Sequence, residues 1–248
     1  MISMILDEGL AVASTPDSEN GPAALKRSLL ITIDGPAGAG KTTVSRRLAA
    51  RLGYHYIDTG ALYRGLAYAV KTAGVDYRDA DALTKLFKDT HLRFRAAADG
   101  VHLLLNGVDI TAHIRTPEMT MLASAVSAEA AARRFLLDLQ RGMGAEKKAV
   151  FEGRDMGTIV FPAADVKFFL DAAAEVRAYR RYLETAAEGP QTLADVTADM
   201  HKRDQNDMRR KLAPLKPAED AVRIDATGMD VEAVVAAMMA VVAEKCGA

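Results

Sequence analysis

Residues 31–43 read ITIDGPAGAGKTT, and this stretch decides the fold. Four of its residues, Gly35, Gly40, Lys41 and Thr42, match the pattern G-x-x-x-x-G-K-[ST], whose backbone N–H groups surround phosphate oxygens. Glycine permits the backbone conformations that such a loop needs, and the start of the following helix favours negative charge. In this pattern the lysine reaches the outer phosphates and the threonine hydroxyl binds Mg²⁺. The predicted triphosphate site comprises Gly35, Pro36, Ala37, Gly38, Ala39, Gly40, Lys41, Thr42 and Thr43.

The sequence on both sides of this loop has the order that the pattern requires. Residues 29–33 form a short apolar run, which is typical of a buried strand. Val44, Leu48 and Leu52 recur every four residues and predict a helix that Gly53 ends. An ordinary glycine turn between a strand and a helix is the alternative. The complete pattern in this context favours a nucleoside triphosphate site, but it does not identify the phosphate acceptor.

The composition is that of an ordinary globular protein. Of the 248 residues, 50% are hydrophobic and 26% are charged, and the net charge is −1. This balance gives no electrostatic case for nucleic-acid binding. The single cysteine, Cys246, cannot form an internal disulfide, which fits a reduced cytoplasm.

Neither a membrane span nor a signal peptide is predicted. No apolar run approaches the roughly 18 residues that a membrane-spanning helix needs. Residues 1–27 mix acidic residues and prolines with small residues, and no basic stretch precedes an apolar one. We expect these residues to form a loose N-terminal tail before a domain that spans residues 28–248.

The rest of the chain alternates predicted strands with predicted helices. A second strand covers residues 54–57, and a helix runs from Asp58 to about Thr72. Further short strands are predicted at residues 149–151, 166–170 and 222–225, and Asp230 caps a last helix. This alternation predicts an α/β fold of three layers with a central parallel sheet.

One region departs from the alternation of strands and helices. Asp99-Gly100 and Asn106-Gly107 are strong two-residue hairpin turns. They predict a small antiparallel sheet of three strands, at residues 92–98, 101–105 and 108–110. This sheet is an insert in the alternating pattern, and a helix from Glu118 to Arg141 follows it.

Several polar residues follow predicted strands. Arg154 and Asp155 stand beside two glycines just after the strand at 149–151, which suits a loop that contacts a ligand. Asp171 follows the strand at 166–170, where an acid lies either near a metal or at the start of the next helix. By themselves these signals are weak, since charged glycine loops are common.

Two predicted helices in the last third of the chain carry arginines that are candidates for phosphate binding. A helix from about Ala174 carries Arg177, Arg180 and Arg181, and a loop around Gly189-Pro190 follows it. Thr192 and Asp195 form a possible capping box for the next helix. On that helix three charged residues share one face, at spacings of four and three: Arg203, Asp207 and Arg210. The spacing alone favours a solvated face of ion pairs.

Taken together, these motifs resemble the bacterial cytidylate kinases, and the resemblance extends from about Leu29 to the C-terminal helix. It rests on the phosphate loop, on DTGALYR at 58–64, on GRDMGT at 153–158, on Arg203-Asp204 with Asp207 and Arg210, and on APLKPAEDA at 213–221. The last four motifs are much more specific than the phosphate loop. Residues 59–145, which contain the antiparallel insert, look like the enlarged monophosphate-binding region of that family. Residues 174–205 look like its helical lid.

The resemblance implies that ATP phosphorylates CMP or dCMP with Mg²⁺ as cofactor and Thr42 as its protein ligand. It implies that the acceptor phosphate is bound by Thr59, Arg64, Arg154 and Arg210. Cytosine is then read by Ser124, Arg133 and Asp207, and the sugar is held by Arg203 with Asp207. The catalytic residues are expected to be Lys41, Arg154, Asp155 and Arg180. Which lid arginine contacts the transferred phosphoryl group stays open. Partners would be these small molecules alone, without nucleic acid or membrane, and the protein would be a cytoplasmic monomer.

Two residues depart from the family pattern. Thr59 stands where many relatives have serine, which keeps the hydroxyl, and Glu152 stands where some have aspartate. Two other functions remain open on the sequence: a different small-molecule kinase with the same loop, such as a shikimate kinase, and a switch protein that hydrolyses nucleoside triphosphates slowly. A switch protein has no use for a second set of residues that reads a base and a sugar.

Overall fold

The structure is a computed structural model that describes residues 27–185 and 191–246. The predicted tail, apart from Arg27, and the predicted loop around Gly189-Pro190 therefore lie outside the described residues. By their contacts the described residues form two compact units. We call residues 58–146 the smaller unit, and residues 27–57 with 147–246 the larger unit.

The elements, in chain order, are β1 (Leu30–Asp34), α1 (Lys41–Leu52), β2 (His55–Asp58), α2 (Thr59–Ala73), α3 (Ala80–Lys88), β3 (Leu92–Ala97), β4 (Gly100–Leu105), β5 (Val108–Asp109), α4 (Pro117–Val126), α5 (Ala130–Met143), β6 (Ala149–Glu152), a π-helical turn (Met156–Val160), β7 (Val166–Asp171), α6 (Ala174–Thr185), α7 (Leu193–Arg209), β8 (Val222–Asp225) and α8 (Val231–Cys246).

A five-stranded sheet forms the centre of the larger unit, in the order β2-β6-β1-β7-β8. Strand β1 pairs in parallel with β6 and with β7, and β7 pairs in parallel with β8. All five residues of β1 are buried. The carboxyl ends of β6, β1 and β7 therefore lie side by side, which is the edge where parallel α/β sheets bind ligands. The predicted α/β fold with a central parallel sheet is confirmed.

Helices α1 and α8 pack against each other and supply much of the core of the larger unit. Leu48 of α1 and Val235 of α8 are fully buried in the same cluster as Ile31 and Phe168 of the sheet. Gly53 ends α1 in a left-handed conformation, as its position in the sequence predicts. This core fixes the start of α1, and with it the phosphate loop.

The smaller unit contains the predicted antiparallel sheet, in the order β3-β4-β5. Its helix α2 begins directly after Asp58, whose side chain accepts a hydrogen bond from the N–H of Ala61. Helix α2 packs against α4 and α5. The short helix α3, capped by Asp79, was not predicted.

The single helix predicted from Glu118 to Arg141 is wrong. The structure has two helices, because α4 ends at Val126 and α5 begins at Ala130. At the break, the hydroxyl of Ser127 donates to the carbonyl oxygen of Ser124 at 2.8 Å. A serine side chain that bonds to the preceding turn competes with the helical hydrogen bonds.

Two predictions of helix caps are confirmed. Thr192 and Asp195 form the capping box at the start of α7, and the carboxylate of Asp230 accepts from the N–H of Ala233 in the first turn of α8. Within residues 27–185 and 191–246, no helix combines the length and the apolar character that a membrane crossing needs.

Candidate active site

The phosphate loop connects β1 to α1 in the larger unit. Gly35 has a φ of 151°, and a Cβ there would lie 1.9 Å from the carbonyl oxygen of Leu170 on β7. No other residue fits so close to that strand. Gly40 is left-handed with a φ of 88°, and α1 begins at the next residue. The loop thus has the tight path that brings backbone N–H groups toward an anion.

Lys41 lies at the base of this loop and is buried. Its Nζ donates to the carbonyl oxygen of Pro36 at 2.5 Å. Burial lowers the pKa of Lys41 to about 7, with a further contribution from the charges of Arg154 and Arg203 that the carboxylate of Glu152 partly opposes. Because neighbouring cations destabilise the charged form of Lys41, an anionic ligand at this position would stabilise that form.

The Thr42 hydroxyl faces a carboxylate. It donates to Oε1 of Glu152 at 2.7 Å, and the hydroxyl of Tyr56 donates to Oε2 of the same residue at 2.6 Å. The guanidinium of Arg46 lies 5.3 Å from the centre of the Tyr56 ring. An alcohol and a carboxylate oxygen side by side are ligands of the type that a hard cation such as Mg²⁺ prefers.

Asp34, at the end of β1, ties the phosphate loop to the loop after β6. Its two carboxylate oxygens accept from the N–H groups of Met156 at 2.9 Å and Gly157 at 2.8 Å. Burial raises the pKa of Asp34 to about 6, although the two backbone hydrogen bonds oppose this rise. The carboxylate thereby fixes the segment that begins with Arg154 and Asp155.

Arg154 and Arg210 converge on one carboxylate. Nε of Arg154 donates to Asp207 at 3.0 Å, and Nη2 of Arg210 lies 3.4 Å from the other oxygen of Asp207. Burial alone would raise the pKa of Asp207, but the charges of Arg154, Arg210 and Arg203 outweigh it and the pKa lies below its usual range. Asp207 is therefore ionised. It is buried, and the half-buried Arg154, Arg203 and Arg210 act on it, so these residues form a charge cluster rather than the solvated face that the spacing alone favours.

In the smaller unit, Arg64 is held at the start of α2. Its Nη2 donates to the carboxylate of Asp58 at 2.9 Å. The Nε of Arg64 is buried and has no partner within the part of the chain that the structure describes. Thr59, the first residue of α2, is also buried. Both residues lie on the first turns of the same helix, as the motif at 58–64 predicts.

Ser124 and Arg133 lie on α4 and α5, the two helices that pack against α2. The hydroxyl of Ser124 is buried and has no hydrogen-bond partner among the described residues. The guanidinium of Arg133 lies 5.8 Å from the centre of the Tyr63 ring on α2, a cation–π contact. These polar groups are placed on helices rather than on mobile loops.

The three arginines of α6 have different surroundings. Arg177 is buried and contacts the phosphate loop, Arg180 donates to the carbonyl oxygen of Ala226 at 2.8 Å, and Arg181 pairs with Glu184 at the surface. The catalytic role of Arg180 stays a prediction. Asp171 accepts from the N–H of Ala172 and lies 3.7 Å from Arg177.

The family profile described as Cytidylate kinase matches residues 31–244 of this chain. The chain belongs to the cytidylate kinase family. A cytidylate kinase of Syntrophotalea carbinolica is 49% identical over 222 residues, which cover 89% of this chain and 94% of that protein. A cytidylate kinase of Geobacter sulfurreducens is 46% identical over 224 residues, which cover 90% and 96% of the two chains.

A solved shikimate kinase from Acinetobacter baumannii, in complex with shikimate, aligns with 89% of this chain and 96% of its own length. The TM-score is 0.46 and the sequence identity is 15%. A likeness of that strength carries no argument about the acceptor.

The sequence motifs of this chain predict most of the charged residues described above as site residues. Three were not predicted as site residues: Asp34, Glu152 and Asp204. Asp34 and Asp204 lie within quoted motifs and Glu152 directly precedes one, so their positions in the sequence were a signal. What the sequence did not supply is the partner of each carboxylate, because those partners are distant along the chain.

Proposed function

We propose that this protein transfers the γ-phosphoryl group of ATP to CMP and to dCMP, which yields ADP with CDP or dCDP. The observation that carries the proposal is the grouping of the buried Lys41 with half-buried arginines in the larger unit. Lys41 of the phosphate loop lies close enough to Arg154 and Arg203 for their charges to lower its pKa. Such repulsion is relieved when anions bind, and two phosphorylated substrates supply them.

In the proposed reaction, a phosphate oxygen of CMP attacks the γ-phosphorus of ATP from the side opposite to the leaving group. The bond from that phosphorus to the bridging oxygen breaks, and its electron pair leaves with ADP. The acceptor phosphate is already a nucleophile, so positioning and charge neutralisation supply most of the rate. Lys41 holds the donor phosphates, and Arg154 and Arg210 hold the acceptor phosphate.

Mg²⁺ bound with ATP would draw charge from the transferred phosphoryl group. Thr42 would hold it, with Glu152 next to it. The 2.7 Å contact between these two side chains supports this, because both offer oxygen atoms at the end of the loop. Among the residues that the structure describes, no cluster of three acidic, histidine or cysteine side chains could hold a metal ion.

We propose that eight residues bind CMP. Thr59, Arg64, Arg154 and Arg210 bind its phosphate. Ser124, Arg133 and Asp207 read cytosine, and Arg203 with Asp207 holds the sugar. The buried and unpaired hydroxyl of Ser124 supports a ligand at that position, since a buried polar atom without a partner is costly. Because one chain supplies every group, we expect a monomer that acts in the cytoplasm.

The test is a coupled assay of ADP production across CMP, dCMP, UMP, AMP and shikimate. We expect rapid turnover with CMP and dCMP, weak turnover with UMP and AMP, and none with shikimate. A preference for shikimate or AMP would instead indicate another small-molecule kinase. Slow ADP release that does not depend on any acceptor would indicate a switch protein and would contradict the proposal.

A further inference from the structure

Ala37, in the middle of the phosphate loop, has both its backbone N–H and its carbonyl oxygen hydrogen-bonded to side chains. Its N–H donates to Oδ1 of Asp204 at 3.2 Å, and its carbonyl oxygen accepts from Nη1 of Arg177 at 2.9 Å. The same Nη1 lies 2.6 Å from Oδ2 of Asp204, so the two side chains also bind each other. Three residues far apart in sequence thus form one closed ring of hydrogen bonds. We call Arg177 and Asp204 the Ala37 clasp.

The Ala37 clasp is anchored away from the loop as well. Nε of Arg177 donates to the carbonyl oxygen of Ala172 at 2.9 Å, and it lies 3.7 Å from the carboxylate of Asp171. Both clasp residues are more than nine-tenths buried. Both Nε and Nη1 of Arg177 therefore donate to groups of the protein itself, unlike the guanidinium of an exposed arginine that is free to bind a phosphate.

The backbone around the clasp is packed as tightly as the side chains. A Cβ on Gly38 would lie 2.6 Å from the carbonyl oxygen of Arg177 and 2.8 Å from Cε of Met200. Ala37 itself packs with Ala178 of α6 and with Val196 and Met200 of α7. The tip of the phosphate loop thus rests directly on both helices.

A buried ion pair is weak evidence for a contribution to stability, because desolvation of the two charges offsets their attraction. Such an ion pair can instead matter because it holds another group in a fixed position. Here the fixed group is a peptide in the loop whose N–H groups are aimed at phosphate oxygens. An error of a few tenths of an ångström there weakens several hydrogen bonds to the triphosphate at once.

We propose that Arg177 and Asp204 are positioning residues for triphosphate binding: they hold the Ala37 peptide so that the phosphate loop is shaped for ATP before ATP arrives. This inference rests on the proposed kinase function, since it assigns the loop to ATP. It gives Arg177 a role different from that of a lid arginine that meets the transferred phosphoryl group. It also makes ATP affinity depend on α6 and α7.

The experiment compares Asp204→Asn and Arg177→Met with the wild type. Asparagine keeps an acceptor for the N–H of Ala37 but loses the charge that binds Arg177. The matched control is Asp199→Asn, the same change at an exposed position of α7. Calorimetry gives the dissociation constants of ATP and of CMP separately, steady-state kinetics gives KM for each substrate and kcat, and thermal melting reports the fold.

We expect both variants to weaken ATP binding about tenfold, which is roughly 1.4 kcal/mol, and to raise KM for ATP similarly. The dissociation constant of CMP should stay within about twofold of the wild type, and the control should match the wild type throughout. Arg177→Lys, which keeps the charge and a donor, should recover part of the ATP affinity lost in Arg177→Met. If Arg177→Met or Asp204→Asn does not fold, Arg177→Lys is compared directly with the wild type: weaker ATP binding with unchanged CMP binding supports the inference, and unchanged ATP binding contradicts it.

Unchanged ATP affinity in both variants would overturn the inference. So would an equal loss of ATP and CMP affinity together with a lowered melting temperature, since that result describes general damage to the fold. The calorimetric measurement does not require turnover. A wild-type protein that binds ATP without CMP-dependent ADP production would therefore reject the proposed function while the clasp could still be tested.

Discussion

At the scale of single residues, the site is defined by charges that repel one another. Lys41 is buried close to Arg154 and Arg203, and its Nζ rests on the carbonyl oxygen of Pro36. The carboxylate of Asp207 binds Arg154 and Arg210, and those of Glu152 and Asp204 oppose part of the repulsion at Lys41. A site built in this way stores electrostatic energy that bound phosphates release.

Replacement of Lys41 by alanine should therefore act on transfer far more than on acceptor binding. We expect kcat to fall at least about 100-fold, because the donor phosphates lose their point charge. CMP affinity should change less than about twofold, because the substitution also removes the repulsion between Lys41 and Arg154. Single-turnover kinetics and calorimetry measure the two effects, with Lys88→Ala, an exposed lysine on α3, as the control. Normal turnover with lost CMP affinity would contradict this assignment.

The preference for cytosine over uracil should depend on Arg133 and Asp207. An arginine only donates, which suits N3 and O2 of cytosine and opposes the N3–H of uracil. Ionised Asp207 only accepts, which suits the cytosine amine and repels O4 of uracil. Two mismatched buried contacts at about 1–3 kcal/mol each imply a CMP-to-UMP ratio of kcat/KM on the order of 10²–10⁴.

The ratio is measured in the wild type, in Arg133→Met and in Asp207→Ala, and we expect a decrease of tenfold or more in each variant. Arg134→Met changes the exposed neighbour on the same helix and should keep the ratio. Asp207→Ala should also lower kcat/KM for both nucleotides, because Arg154 and Arg210 lose the carboxylate that orients them. Wild-type ratios in both variants would mean that other groups read the base.

At the scale of elements, the sequence predicts those features that depend on neighbouring residues. The strand, loop and helix around Gly35 follow from local pattern, and the hairpins of the small sheet follow from Asp99-Gly100 and Asn106-Gly107. The break after Val126 was missed because Ser127 acts through a side-chain bond that periodicity does not register. The Ala37 clasp could not be predicted either, since it joins residues that are 140 and 27 positions apart.

The small antiparallel sheet should be sensitive to pH through His102 on β4. Its ring nitrogens lie 2.9 Å from the carboxylate of Asp99 and 2.5 Å from that of Asp109, which also pairs with Arg95 on β3. Hydrogen bonds to Asp99 and then to Asp109 raise the pKa of His102 above 6.5. Stability from this group is thus complete below 6.5, the value for an unpaired histidine, and is lost as the pH rises through the higher folded value.

Titration of the His102 ring protons by NMR should show this raised pKa, and Asp99→Asn or Asp109→Asn should lower it. Hydrogen exchange of β3 and β4 amides should be slower at pH 5.5 than at pH 8.5 after correction for the intrinsic rate. His102→Gln should remove that difference. A pKa at or below 6.5 in the wild type would show that the two carboxylates do not hold the ring in solution.

At the scale of the whole molecule, the chain distributes its proposed roles between two units. The larger unit holds the phosphate loop, the clasp and the Asp207 cluster, and the smaller unit holds Ser124 and Arg133. Each unit has its own sheet. The motif at 213–221, which the resemblance included without a role, supports the larger unit. Its Leu215 N–H donates to the carbonyl oxygen of Asp207 at 2.8 Å, and its Asp220 pairs with the buried Lys167 of β7.

The N-terminal boundary of the folded core can be tested by truncation. Residues 1–26 lack apolar periodicity, whereas Arg27 donates to the carbonyl oxygen of Lys245 and the N–H of Leu29 donates to the hydroxyl of Tyr54. Leu29 is fully buried. Removal of residues 1–26 should therefore change the melting temperature by less than about 2 °C and leave KM for both substrates within about twofold. Leu29→Ala should cost about 2–5 kcal/mol and lower the melting temperature by roughly 4–20 °C. Scanning calorimetry of the two variants separates these expectations. A large fall on truncation alone would show that the first 26 residues pack against the protein, and would move the start of the core to before Arg27.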